Sequence, residues 1–218
     1  MKTSNRFLSF IVSLFLFLSG PILLPREPAG TSTGDATVRA LKEQLARSGG
    51  EERIDTLLRL MDALRGKSPK DVLTFGEEVL RLLEDLPDQA TKIRTLQLMS
   101  RAAGRTGKYK KMETWAALSL QLAKKHGDRE LLGNAFMERG LSMYFLGKYT
   151  RGIEFFDRAA AIYRQLGLSR ELAGLMGDYG RIYWRIDDYP KALEYFLNAC
   201  KAHERLGNER SAAYEYNS

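Results

Sequence analysis

Side chains able to do chemistry are scarce in this chain of 218 residues, which has two histidines, His126 and His203, and one cysteine, Cys200. Cys200 and His203 stand three apart, so a helix would carry both on one face. Two ligands do not close a zinc site, and the expected arrangement is a core cysteine beside a surface histidine. A lone cysteine also builds no disulfide framework. Carboxylate pairs occur at Glu77-Glu78, Glu84-Asp85 and Asp187-Asp188. Neighbouring residues on a helix point in different directions, so these pairs do not converge on one substrate. At Asp187-Asp188 the pattern suits a turn followed by a helix cap. No Gly-x-Ser-x-Gly, phosphate-binding loop or His-Glu-x-x-His pattern is found. The inventory therefore predicts no catalytic constellation, no metal site and no cofactor, and directs attention to surfaces.

The elements that would build such a surface are legible as a repeat. Residues 140–167 and 180–207 align at a constant offset: Gly140 with Gly180, Tyr149 with Tyr189, Gly152 with Ala192, Phe156 with Phe196, Ala159 with Ala199, Gly167 with Gly207. The same register reaches back through Ser100, Gly107, Tyr109, Met112, Ala116, Ser119 and Gly127, and then through Leu60, Val72, Gly76 and Val79. A fixed period of this kind marks an array of stacked units, none of which can bury its apolar face alone. Each unit reads as helix–turn–helix. In the last full one, helix A is expected from Glu171 to Arg185 and a turn at Asp187–Pro190. Helix B then carries an apolar stripe of Ala192, Leu193, Tyr195, Phe196, Ala199 and Cys200. Pro190 suits a first helical turn, and Gly167 suits a helix C-cap. Small residues at Gly140, Gly180, Ala159 and Ala199 would let the two helix axes approach, with Tyr149 and Tyr189 filling the gap at the turn.

This pattern resembles the tetratricopeptide repeat family. The carrying residues are Gly140-x2-Met143, Gly147-x-Tyr149-x2-Gly152-x3-Phe156-x2-Ala159, Gly180-x2-Tyr183 and Asp187-x-Tyr189-x2-Ala192-x3-Phe196-x2-Ala199. The period departs from the family's usual 34 residues, and no proline closes helix B. In both respects the chain looks like the 40-residue repeats of bacterial signalling proteins. The resemblance implies an all-α fold, an α-solenoid of stacked helix–turn–helix repeats wound as a right-handed superhelix. It also implies a concave groove lined by helix A. The positions carried over are Gln97, Arg101, Gly104 and Arg105, then Met137, Leu141, Tyr144 and Phe145, then Gly177, Arg181, Trp184 and Arg185. Such a face combines arginines with aromatics and few acids. Arginine forks suit carboxylates, and Tyr, Trp and Arg are common binding anchors. The expected ligand is a peptide or protein segment bearing acidic or carboxylate groups.

Taken in order, residues 1–24 join Lys2 and Arg6 to an apolar run from Phe7 to Leu24, which reads as a signal peptide or a signal anchor. Either would export the chain to a periplasm or cell envelope, and the second would tether it to the inner membrane. Residues 25–37 read as a linker and 38–52 as an N-terminal capping-helix region. Residues 53–218 read as the array, divided at 53–88 (degenerate), 89–128, 129–168, 169–210 and an incomplete 211–218. The second repeat has weaker small-residue positions (Ser100, Met112, Ser119) and is expected to pack more loosely. The unfinished last repeat suggests self-association through the exposed C-terminal face. It equally suggests an extracytoplasmic sensory part whose enzyme domain, a histidine kinase or diguanylate cyclase, lies beyond Ser218.

The formal charge is +7, with 31 basic and 26 acidic residues over 31–218. Charge this mild and interspersed argues against nucleic acid as a partner and leaves room for attraction to an anionic membrane surface. The expected function is a non-catalytic protein–protein interaction scaffold.

Overall fold

A computed structural model describes residues 33–207, so the expectations for residues 1–32 and 208–218 lie outside the described residues. Among the described residues, those from Thr37 onward form one compact unit. Among the described residues there are nine helices: α1 (Thr33–Leu45), α2 (Gly50–Leu64), α3 (Pro69–Asp85), α4 (Gln89–Arg105), α5 (Tyr109–His126), α6 (Arg129–Phe145), α7 (Tyr149–Leu166), α8 (Ser169–Arg185) and α9 (Tyr189–Arg205). Helix α1 starts inside the stretch expected to be a linker. The others pair as helix A and helix B of four units: α2/α3, α4/α5, α6/α7 and α8/α9. Within the array each helix packs on its partner and on the next unit, as an α-solenoid must.

The period is set by the turns. Helix B starts at Pro69, Tyr109, Tyr149 and Tyr189, forty residues apart each time. The A–B turns of the last three units close the same way: the backbone N–H of Lys108, Lys148 and Asp188 donates to the carbonyl of Ala103, Met143 and Tyr183 at 2.8, 2.8 and 3.0 Å. This closure needs a left-handed residue. Gly107 and Gly147 supply it at φ 72° and 71°, and Asp187 takes the same place at φ 61°. Caps follow the sequence too: Asp88 accepts from the N–H of Ala90 and Thr91, Asp128 from Leu131 and Asp188 from Lys191. Hydrogen bonds to the charged form, led by the Thr91 hydroxyl, hold the Asp88 carboxyl below its ordinary value.

The close approach of helix A to helix B is built from a ring seated on a glycine. A Cβ on Gly140 would come within 2.4 Å of the Phe156 ring, and one on Gly180 within 2.7 Å of Phe196. Phe156 and Tyr163 are fully buried, in a core that runs through α6–α8. The first two units share a second core of leucines and methionines, including Leu57, Leu60, Met61, Val72, Val79 and Met99. The looseness expected in the α4/α5 unit is absent: Ser100, Met112 and Ser119 are all buried, and the Ser100 hydroxyl donates to the Met112 carbonyl at 3.2 Å. A small polar side chain fills the site when its hydroxyl has a backbone acceptor. Tyr149 is half-buried against Tyr144, but Tyr189 does not fill its gap; it stays half exposed and donates to Asp187.

Candidate interaction groove

The A helices present their inner faces to one concave groove of about 1150 Å³. Eight of the positions expected there line it: Gln97, Arg101, Arg105, Met137, Leu141, Tyr144, Phe145 and Arg181. Trp184 and Arg185 do not. They stand exposed at the A–B turn, where Trp184 meets Tyr189 edge to face and Arg185 Nε donates to the Tyr144 hydroxyl at 3.3 Å. Gly104 is packed against Met112 of helix B, and Gly174 rather than Gly177 reaches the groove.

The floor differs in charge from the expectation of few acids, since Asp62, Glu138, Glu171 and Asp178 also line the groove. Arg101 donates from Nε to Glu138 Oε1 at 2.9 Å and forms an ion pair with the same oxygen through Nη2. This bond ties α4 to α6, and Glu138 is only 2% exposed. Both donors use one oxygen, and Oε2 accepts no hydrogen bond from the protein. Burial therefore raises the Glu138 carboxyl above its usual 4.5 even against the pull of Arg101. Arg181 pairs with Asp178 one turn away on its own helix. The two innermost arginines are thus already engaged.

Gln97 is a structural tie, because its amide donates to the Leu131 carbonyl at 3.0 Å in the interior. Asn134 is fixed from behind: the Tyr163 hydroxyl donates to Asn134 Oδ1 at 2.8 Å, which leaves the amide N–H₂ toward the groove. Apolar side chains of Leu98, Met137, Leu141, Tyr144 and Phe145 line the walls, with Phe145 at the A–B turn end. Exposed arginines lie toward the margins at Arg65, Arg94, Arg105 and Arg170.

Positions 62, 65, 94, 134, 138, 170, 171 and 178 were not anticipated. A helix presents a broader stripe than four positions, and the first unit was too degenerate to be assigned a groove face. His203 also lines the groove and is 5% exposed, contrary to the surface position expected. Its Nδ1 has no partner, and burial, then the nearby Arg170, hold its pKa below the ordinary value. Among the described residues no three His, Cys, Asp or Glu side chains are placed to hold a metal, and no helix is long and apolar enough to cross a membrane.

Comparison with known proteins bears on the fold. Residues 131–205 match the tetratricopeptide repeat family model. Among curated proteins, no sequence matches the chain. A Rap protein complexed with competence and sporulation factor superposes with a TM-score of 0.74 at 16% identity, over 84% of this chain and 52% of that one. Aspartyl phosphate phosphatase F from Bacillus subtilis gives 0.66 at 13%, over 82% and 47%. A signal-transduction ATPase with a tetratricopeptide repeat sensor from Pyrococcus horikoshii gives 0.64 at 17%, over 84% and 29%. The chain therefore spans about half the length of the first two and less of the third, and at these identities the likeness is one of fold. The family match covers residues 131–205, within α6 to α9, and the helix pairs before it continue the same A–B order, so over the whole array the likeness to the tetratricopeptide repeat family is one of fold.

Proposed function

We propose that this chain is a non-catalytic interaction module that holds a peptide or protein segment in the groove between its A helices. The observation that carries the reading is the apolar strip of Met137, Leu141, Tyr144 and Phe145, partly exposed on a concave surface and flanked by arginines. Partly exposed apolar and aromatic side chains in a concavity are the usual anchors of binding. Carboxylate recognition belongs to the exposed Arg65, Arg94, Arg105 and Arg170, since Arg101 and Arg181 already hold acids. That a Rap protein of this fold is complexed with competence and sporulation factor supports a ligand-binding role. The basic, apolar N-terminus supports export, with the groove facing a cell-envelope partner.

The test is a selection of peptides from a random display library with the purified chain, followed by affinities in solution. Leu141→Glu is expected to weaken selected peptides by at least about tenfold with helicity unchanged. Equal binding by the variant would move the site out of the groove.

A second reading keeps the module and changes its setting. The ATPase neighbour carries its repeats as a sensor and is more than three times longer than the matched part, which favours a sensory role in a larger signalling protein. Coding sequence past Ser218 for a membrane span and a kinase or cyclase domain would support it; an in-frame stop there would remove it.

A further inference from the structure

The two edges of the solenoid differ sharply. One edge is made by the A–B turns, residues 65–71, 105–111, 145–151 and 185–191, which contain eleven Lys and Arg against three Asp. All eleven cations are exposed. The opposite edge, at the same width and a half-period away (45–51, 85–91, 125–131 and 165–171), holds four cations against six acids. A nearly balanced chain thus carries its excess positive charge on one side.

That side also carries every exposed aromatic among the described residues: Tyr109, Phe145, Trp184 and Tyr189, with Ile186 beside them. Neighbouring turns are stitched together. Arg105 donates to the Gly66 carbonyl at 3.2 Å, Tyr109 stacks on Phe145 at 5.2 Å, and Arg185 reaches the Tyr144 hydroxyl at 3.3 Å. The cations and rings therefore form one continuous strip. Exposure there is no end effect of an array, because Tyr109 and Phe145 belong to interior turns flanked on both sides and are still 41% and 39% exposed.

We propose that the A–B turn edge is a docking surface for an anionic lipid bilayer. The chemistry is complementary in two ways. Lysines and arginines concentrated on one face are drawn to the negative surface potential of acidic headgroups. Trp and Tyr rings, apolar in body and polar at the tip, settle at the headgroup level, while clustered exposed rings are otherwise costly in water. The groove opens between the A helices and meets the strip at Arg65, Arg105 and Phe145, so a docked chain keeps the rest of its groove free for ligand. The proposal does not rest on the groove reading, although the two surfaces share Arg65, Arg105 and Phe145.

The full chain carries two tryptophans, Trp115 and Trp184. With Trp115→Phe, emission comes from Trp184 alone, on the strip. Adding phosphatidylglycerol-containing phosphatidylcholine vesicles is expected to shift that emission to the blue. Pure phosphatidylcholine vesicles are expected to leave it unchanged, and raising salt from about 0.1 to about 0.5 M should reverse the shift. Changing Lys108, Lys110, Lys111 and Lys148 together to Gln is expected to weaken vesicle affinity by more than about tenfold. Changing Lys124 and Lys125 to Gln should leave it as it was. Circular dichroism keeps folding apart from binding. Attachment through the apolar N-terminus alone would bring the chain to both vesicle types without moving Trp184 emission, and would overturn the proposal. So would tighter, salt-sensitive binding of the strip to a single-stranded oligonucleotide than to the anionic vesicles.

Discussion

Two arginine–carboxylate pairs occupy the same repeat positions on the groove floor and are wired differently. Arg101 and Arg181 are equivalent, two periods apart, and Glu138 and Asp178 are equivalent, one period apart. Arg181 turns to Asp178 three residues back on its own helix, so the pair is closed within α8. Glu138 has Leu141 where Asp178 has Arg181, and it reaches across to Arg101 of the preceding unit. One pair is local and decorates a helix. The other joins two repeats, and in a solenoid only such nearest-neighbour links couple the stability of units. An ion pair on the groove floor can therefore serve assembly or surface chemistry depending on one residue a turn away.

The largest effect that would test this contrast is Arg101→Met. Glu138 would be left buried with no counter-ion, and breaking such a pair costs about 3 kcal/mol at neutral pH. Urea unfolding followed by tryptophan emission would measure it. The pH dependence has a definite sign. A carboxyl raised above its unfolded value binds more protons in the folded state, so its contribution to stability falls as pH climbs from 4.5 through the folded value. Removing Arg101 raises that value further. The penalty of Arg101→Met is thus expected to shrink as pH falls toward 4.5 and to be greatest at neutral pH. A penalty constant across that range would show that Glu138 is not what the arginine serves.

A smaller effect converts one wiring into the other. Leu141→Arg gives Glu138 the same local partner that Asp178 has. In the Arg101→Met background it is expected to restore about 1–2 kcal/mol, with little gain in the parent, and the double-mutant cycle reads that difference as coupling. Equal effects in both backgrounds would mean that the new arginine acts only on helix propensity or general charge.

The repeat, its four helix pairs and the small residues at the helix crossings were legible because they are local and periodic, Gly140 recurring as Gly180; the phenylalanine ring seated on each glycine was not read from the sequence. Most of the groove positions followed from that register. The acids were missed for a physical reason. Glu138 lies within a helix of mixed polarity, and nothing in its own neighbourhood says that its counter-ion stands 37 residues away. His203 was missed because a groove wall from helix B has no counterpart in a pattern assigned to helix A. Trp184 and Arg185 were placed by register alone, but at the end of α8 the helix has turned their side chains to the edge. The strip of charge along the turns crosses four separate sequence windows, and it appears only when the fold stacks them.

The smallest effect is the difference between the two pairs. Arg181→Met also strands a buried carboxylate but breaks no link between units, so it is expected to cost about 1 kcal/mol less than Arg101→Met. Asp178 and Glu138 are almost equally buried, at 7% and 2%, so exposure of the acid does not distinguish them. The distinction is what the arginine holds. Removing Arg181 frees one turn of α8, and the packing of α8 on α7 through Leu175 and Ile182 remains. Removing Arg101 weakens the contact between α4 and α6, which keeps the Gln97–Leu131 hydrogen bond. Hydrogen exchange checks this independently of the total stability: Arg181→Met should raise exchange in α8 alone, whereas Arg101→Met should raise it in both α4 and α6. If the two variants cost the same and loosen the same helices, then pairing within a helix and pairing across repeats are equivalent here, and the contrast between them has no consequence for the stability of the array.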